Sequence, residues 1–137
     1  MQTFLPYSNF ELSAKTLDRQ RLGKQRVETL QILKALEAGT GGWANHPATR
    51  MWKGHTNALV AYGVAICDEW IGRGYKDTCR DKILAYRNNE TNDLPDWVGD
   101  KAFHRSHRSN LTRKFPEHYS KFWDEPDDLE YIWPTIK

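Results

Sequence analysis

Between Leu12 and Ala38 the apolar residues recur at helical spacing, and Leu22, Leu30, Leu33 and Leu36 gather on one side of the helix they predict. Ser8 or Asn9 is placed to cap its start, with Glu11 in the first turn. Gly23 is a point where the helix can bend or divide, and the run Gly39–Gly42 ends it. Asn45-His46-Pro47 marks another start, with Pro47 at the first helical position. From Met51 to Ile71 the pattern is apolar nearly all round, which predicts a helix buried in the middle of a bundle and closed by Gly72 and Gly74. Asp77 or Thr78 opens a shorter helix towards Tyr86. Asn88–Asp93 is a loop, and Pro95 starts a turn carrying Trp97. Phe103–Phe115 predicts a further helix, and Pro116 begins a short one through Phe122. Residues 1–8 read as extended, and the tail from Trp123 to Lys137 as irregular. No strand pattern, repeat or linker interrupts this order. The expectation is an all-α fold, a compact helical bundle in a single domain over residues 1–137, with an extended N-terminus and an irregular C-terminal tail.

Composition sharpens this only a little. A hydrophobic share of 39% and six Trp suit a packed globular chain and exclude a disordered one. A net charge of +2 does not by itself establish a nucleic-acid partner, and its distribution says more. Residues 15–26 hold five cations and one Asp, and residues 101–114 hold five cations, two His and no acid. The acids concentrate in Asp124–Glu130, so the surface is expected to be polarised, with a basic face able to follow a phosphate backbone. Two cysteines are too few for a disulfide framework, and Cys67 reads as a small buried hydrophobe. No apolar run reaches membrane-span length and the start lacks the form of a signal peptide, so a cytoplasmic protein without membrane partners is expected.

Three segments carry candidate chemistry. On a helix, Arg21 and Glu28 share a face with Lys24 and Gln25 between them, and Lys24 to Glu28 is an i,i+4 pair. The plain structural reading is a surface ion pair. The catalytic reading is that Glu28, flanking the apolar stripe of Leu22, Thr29 and Leu33, is an acid–base group ringed by cations. In Phe103–Lys114, His104, His107 and Arg108 cluster, and Asn110, Arg113 and Lys114 continue the polar surface. This is either a phosphate-gripping helix or a solvated amphipathic one. His104 and His107 lack a carboxylate or Cys to complete a metal site, and no metal or cofactor is expected. In Trp43–His55, the cations and imidazoles of His46, Arg50, Lys53 and His55 alternate with Trp43 and Trp52. That suits base stacking with phosphate contacts, although Trp at such spacing also builds cores. The late aromatics, from Tyr119 to Trp133, allow the same two readings.

These segments, in this order, resemble the pyrimidine-dimer DNA glycosylase family of the phage endonuclease V type. The nearer likeness is to a bacterial branch carrying segments like LDRQRLGKQRVETLQIL, NHPATRMWKGH, ALVAYG and HRSHRSNLTRKFPEHY. The resemblance to the phage type rests on the first helix with its Glu, a GH-led central helix followed by a turn like RGYKDT, and the late element Pro116 to Phe122. It implies a mechanism in which a backbone α-amine attacks C1′ of the damaged nucleotide, expels the base and forms a Schiff base. A glutamate on the first long helix then assists β-elimination of the 3′ phosphate. Matched residue by residue, the resemblance puts Glu28 at the catalytic glutamate, and Arg21 and Arg26 near phosphate-contacting positions. An amine attacks only when neutral, and an α-amine titrates nearer pH 7 than a lysine. The second residue here is Gln2, whose bulk disfavours removal of Met1, so Met1 itself offers the amine, or an internal Lys such as Lys24 does, or the Schiff-base chemistry has been lost.

The expectation is therefore a DNA repair glycosylase for a damaged or modified pyrimidine, with lyase activity through an amine. Its partner would be damaged double-stranded DNA bound by a monomer. Glu28, Met1 and Arg21 are the catalytic candidates. Arg19, Lys24, Arg26, His46, Arg50, Lys53, His104, His107, Arg108, Asn110, Arg113 and Lys114 are the DNA contacts. The alternatives are a non-catalytic DNA- or nucleotide-binding module on the same basic face, and a metal-dependent phosphodiesterase built on His46, His55, His104 and His107.

Overall fold

A computed structural model describes residues 1–134. Its helices are α1 (Phe10–Thr16), α2 (Arg19–Ala38), α3 (Pro47–Arg50), α4 (Thr56–Gly72), α5 (Arg80–Leu84), α6 (Lys101–Lys114) and α7 (Pro116–Tyr119), with a 3-10 turn at Gly42–Asn45. No strand occurs among the described residues, and the fold is compact and all-helical. The tail from Trp123 to Pro134 is irregular, and the last three residues of the predicted tail lie outside the described residues.

The long first helix expected from the leucine pattern is two helices, and Gly23 is not where they part. The break falls at Leu17–Asp18, whose backbone is extended. Asp18 caps α2 by accepting the Arg21 N–H, and its carboxylate is too well used there to let the helix run through. Gly23 instead lies inside α2, where an added Cβ would meet the Trp70 ring at 3.1 Å. Gly39 ends α2 in the left-handed region at φ 69°, a conformation glycine reaches without a Cβ penalty. The central apolar run is helical only from Thr56. Residues before it are divided between α3, started by Pro47 and capped by the His46 ring, and a turn through Gly54.

Helix α4 packs across α1 and α2, and the core gathers on both sides of it around Trp52, Leu59, Tyr62, Ile66 and Phe103. Cys67 is buried in this core, as its apolar surroundings predicted.

Through that core runs the N-terminal segment. Thr3 and Leu5 are wholly buried, and Gln2 and Phe4 nearly so. A buried segment without secondary structure must satisfy its peptide groups some other way. Here side chains do it. The Phe4 N–H donates to Gln25 Oε1 at 2.8 Å, and Gln25 Nε2 donates to the Gln2 carbonyl at 2.8 Å. The Tyr62 hydroxyl donates to the Phe4 carbonyl at 2.8 Å. His107 Nδ1 accepts the Leu5 N–H, His104 Nδ1 donates to the Leu5 carbonyl, and Arg108 donates to the Pro6 carbonyl.

Candidate active site

Helix α2 is pinned at its start by a small network. The Tyr119 hydroxyl donates to Asp18 Oδ1 at 2.5 Å, and Asp18 in turn holds the Arg21 guanidinium at 3.2 Å. Burial alone would raise the Asp18 pKa, but Tyr119 and Arg21 together hold it below the usual carboxylate value. One and two turns further on, Lys24 and Glu28 project from the same side as Arg21, as the spacing predicted.

That side forms one wall of a cavity of about 410 Å³. Gln20, Arg21, Lys24 and Glu28 come from α2, and Met1, Gln2 and Phe4 from the N-terminal segment. Lys114 closes it from the end of α6, and Tyr131 and Trp133 from the tail. Three cationic side chains and the chain's own α-amine thus surround a single carboxylate. A larger hollow of about 620 Å³ lies along α1 and α4 and shares no residue with this one. It is lined by Glu11, Lys15, Asp68, Glu69 and Arg87, and by none of the candidate residues.

Burial raises the Glu28 pKa, while the charge of the Met1 amine, then Lys24, then the hydrogen bond from Gln25 act to lower it; burial prevails. The direct partner of the carboxylate is not Lys24, as the i,i+4 spacing suggested. It is Gln25, whose Nε2 donates to Glu28 Oε2 at 2.9 Å. The lysine acts on Glu28 by its field alone.

The candidates from the other segments are more scattered. Arg19 and Lys24 are exposed on the outer side of α2, where with Glu28 they line a neighbouring hollow floored by Gly23, Val27 and Trp70. Lys53 is exposed, and Arg50 lies at the surface end of α3; neither lines the Glu28 cavity. His46 sits between the Trp43 and Trp133 rings at 5.4 and 6.0 Å. Burial and then the nearby amine lower its pKa.

The phosphate-gripping reading of α6 is corrected for His104, His107 and Asn110, all buried. The two rings hold Leu5, and His104 Nε2 also accepts the Gly99 N–H at 2.9 Å. Asn110 Nδ2 donates to the carbonyls of Ser106 and Leu129. Arg108 is spent on Pro6 and on Glu125 at 2.7 Å, and Arg113 on Asn110 and the Asp127 carbonyl. Arg105 also pairs with Glu125 at 2.9 Å. The acidic tail therefore folds onto the basic helix rather than forming an opposite pole, because neutralising neighbouring opposite charges is favourable. Only Lys114 of this segment reaches the cavity.

Arg26 is likewise no free phosphate ligand. Its Nη1 pairs with the buried Asp77 at 2.6 Å, and its guanidinium lies 4.4 Å from the centre of the Trp70 ring. Among the described residues no group of three His, Cys, Asp or Glu side chains is placed to hold a metal ion. His104 and His107 face the N-terminal segment, while His55 binds the Asp93 carbonyl.

Sequence reasoning missed Gln25, Gln2 and Tyr62. A signal for the first was present: Leu22, Gln25, Thr29, Ile32 and Leu36 follow one helical stripe, so Gln25 is an amide at a position the pattern buries.

Comparison with known families gives one match. The model of a family described as pyrimidine dimer DNA glycosylase matches residues 1–83, the N-terminal segment, α2 and α4 included. The chain belongs to that family of DNA glycosylases, whose substrate is DNA. No curated protein and no solved structure matches it. No helix among the described residues is long and apolar enough to cross a membrane.

Proposed function

We propose that this chain, acting as one domain and as a monomer on damaged double-stranded DNA, removes a damaged or modified pyrimidine and then cleaves the strand as a lyase. The Met1 α-amine is the nucleophile and Glu28 the acid–base group. One observation supports this above the rest: the start of the chain and Glu28 line one cavity, close enough for the amine's charge to act on the carboxylate.

The steps follow from what each group can do. The neutral amine attacks C1′ as the bond to the base breaks, and the sugar ring opens to leave an imine. The imine makes the neighbouring C2′ proton acidic, and Glu28 carries the proton transfer that accompanies loss of the 3′ phosphate. Arg21, Lys24 and Lys114 supply cations where the phosphates on either side of the extruded nucleotide would lie. Arg19, Arg50 and Lys53 are positioned for longer-range backbone contact. The raised pKa of Glu28 suits a group that must both give and take a proton.

Mass spectrometry of the native N-terminus, followed by borohydride reduction on DNA carrying an abasic site and peptide mapping, tests this reading. The expected result is an adduct on the Met1 nitrogen. An adduct on Lys24 would reassign the nucleophile, and no adduct together with no base release from a panel of pyrimidine lesions would sink the proposal.

A further inference from the structure

Resting on that reading of the site, we infer that Gln25 is a positioning residue for the reaction: its single buried carboxamide fixes the amine-bearing N-terminal segment and the Glu28 carboxylate relative to one another. Gln25 is fully buried, yet nothing about α2 requires an amide there. Its Oε1 accepts the Phe4 N–H at 2.8 Å and faces the Tyr62 hydroxyl at 2.6 Å. Its Nε2 donates to the Gln2 carbonyl at 2.8 Å and to Glu28 Oε2 at 2.9 Å. Both donor hydrogens of the amide are used, and its oxygen takes the Phe4 N–H while sharing the single Tyr62 hydroxyl hydrogen with the Phe4 carbonyl.

The amide cannot turn over. Reversed, it would set an NH₂ against the Phe4 N–H and an oxygen against both the Gln2 carbonyl and the Glu28 carboxylate. Tyr62, itself fully buried on α4, holds the oxygen end from behind. Two of its bonds grip the backbone just after Met1, and one grips the carboxylate. The distance between amine and acid–base group is thereby set by one side chain. No other residue type reproduces the pattern. Glu lacks the donors, Met leaves the Phe4 N–H and Gln2 carbonyl unpaired, and Asn is one methylene short.

A purely structural role is the competing explanation, since the same bonds also anchor the N-terminus. Three variants separate the two: Gln25→Met, Gln25→Glu and Tyr62→Phe. Each is compared with the wild type for thermal midpoint, affinity for abasic-site DNA, single-turnover rate of borohydride-trappable adduct formation, and the pH dependence of that rate. The groups facing Glu28 along the cavity, the Met1 amine, Arg21, Lys24, Lys114 and Tyr131, are the same in every variant. In Gln25→Met the rate is expected to fall about 100-fold with DNA affinity within about threefold of wild type. Its acid limb should move to higher pH, because the carboxylate has lost a donor that favours its charged form. Tyr62→Phe keeps the Gln25–Glu28 bond and should leave the acid limb in place while slowing the rate less.

Rate and affinity falling together in proportion to the thermal midpoint, with an unmoved acid limb, would overturn the proposal. So would Gln25 variants that trap as fast as wild type. If Gln25→Met does not fold, an unmoved acid limb in Gln25→Glu has the same force. Absence of any adduct with the wild-type protein would instead defeat the amine mechanism itself, and this inference with it.

Discussion

His107 accepts the Leu5 backbone N–H at 3.0 Å, across 102 positions of sequence. One turn earlier on α6, His104 donates to the carbonyl of the same residue at 2.8 Å. Both peptide groups of Leu5 are thus held by imidazoles three residues apart, which fixes His107 as an acceptor and therefore neutral.

Stability should accordingly fall on mild acidification. Burial pushes the His107 pKa down to about 3, and burial lowers that of His104 as well. Unfolded histidines titrate near pH 6.5. Between that value and about 3 the unfolded chain holds a proton that folded His107 does not, so stability decreases as pH falls. The limiting slope is about 1.4 kcal/mol per pH unit for each such group. Urea midpoints at pH 7, 6 and 5 should show the decline, and His107→Asn should flatten it. A flat profile in the wild type would show that His107 is protonated in the fold. At lower pH, Asp18, Asp77 and Glu125, each held below its ordinary value by its partners, lose their contributions in turn.

Glu28→Gln should separate chemistry from binding. Strand cleavage is expected to drop at least about 100-fold, the usual scale for losing an acid–base group. Affinity for abasic-site DNA should hold or rise, since a negative charge has left a cationic cavity. If affinity falls in parallel with rate, Glu28 is a structural residue.

Arg26 is expected to serve the fold rather than the DNA contacts. Its pairing with Asp77, whose side chain is 1% exposed, makes removal of either partner costly. Arg26→Ala and Asp77→Ala should each cost about 1–3 kcal/mol, the scale of losing a hydrogen bond to a charged group in a partly buried pair. The dependence of DNA affinity on salt should by contrast drop by about one unit of slope for each of Arg19, Lys24 and Lys114 replaced by Ala. A salt slope that changes in a folded Arg26 variant would restore it as a phosphate ligand.

Gly63 sets the approach of α4 to α2. A Cβ there would lie 2.8 Å from Thr29 Cγ2 and 3.0 Å from Ile83 Cγ2. Gly63→Ala should destabilise by about 1–3 kcal/mol, seen as a lower thermal midpoint. Because Thr29 adjoins Glu28, the same change should also slow catalysis; an unchanged midpoint would mean the helices part without strain.

Most of the helical segments, the cap at Asn9, the start at Pro47, the stop at Gly39 and the shared face of Arg21, Lys24 and Glu28 were legible along the chain, whereas the break at Leu17–Asp18 and the late start of α4 at Thr56 were not. Each legible feature depends on spacing within about two turns of helix, where periodicity and backbone preference decide the outcome. The family resemblance also rested on local segments. What only the tertiary structure decided is which polar groups face water. Basic residues and histidines on α6 have the same pattern whether they grip phosphate or a buried backbone. The choice was made by the irregular N-terminal segment, whose unpaired N–H and C=O groups drew His104, His107 and Arg108 inward. The same demand buried Gln25 and carried the start of the chain to Glu28. Such long-range pairing leaves no periodic trace, because its partners lie about 20 to 100 residues apart.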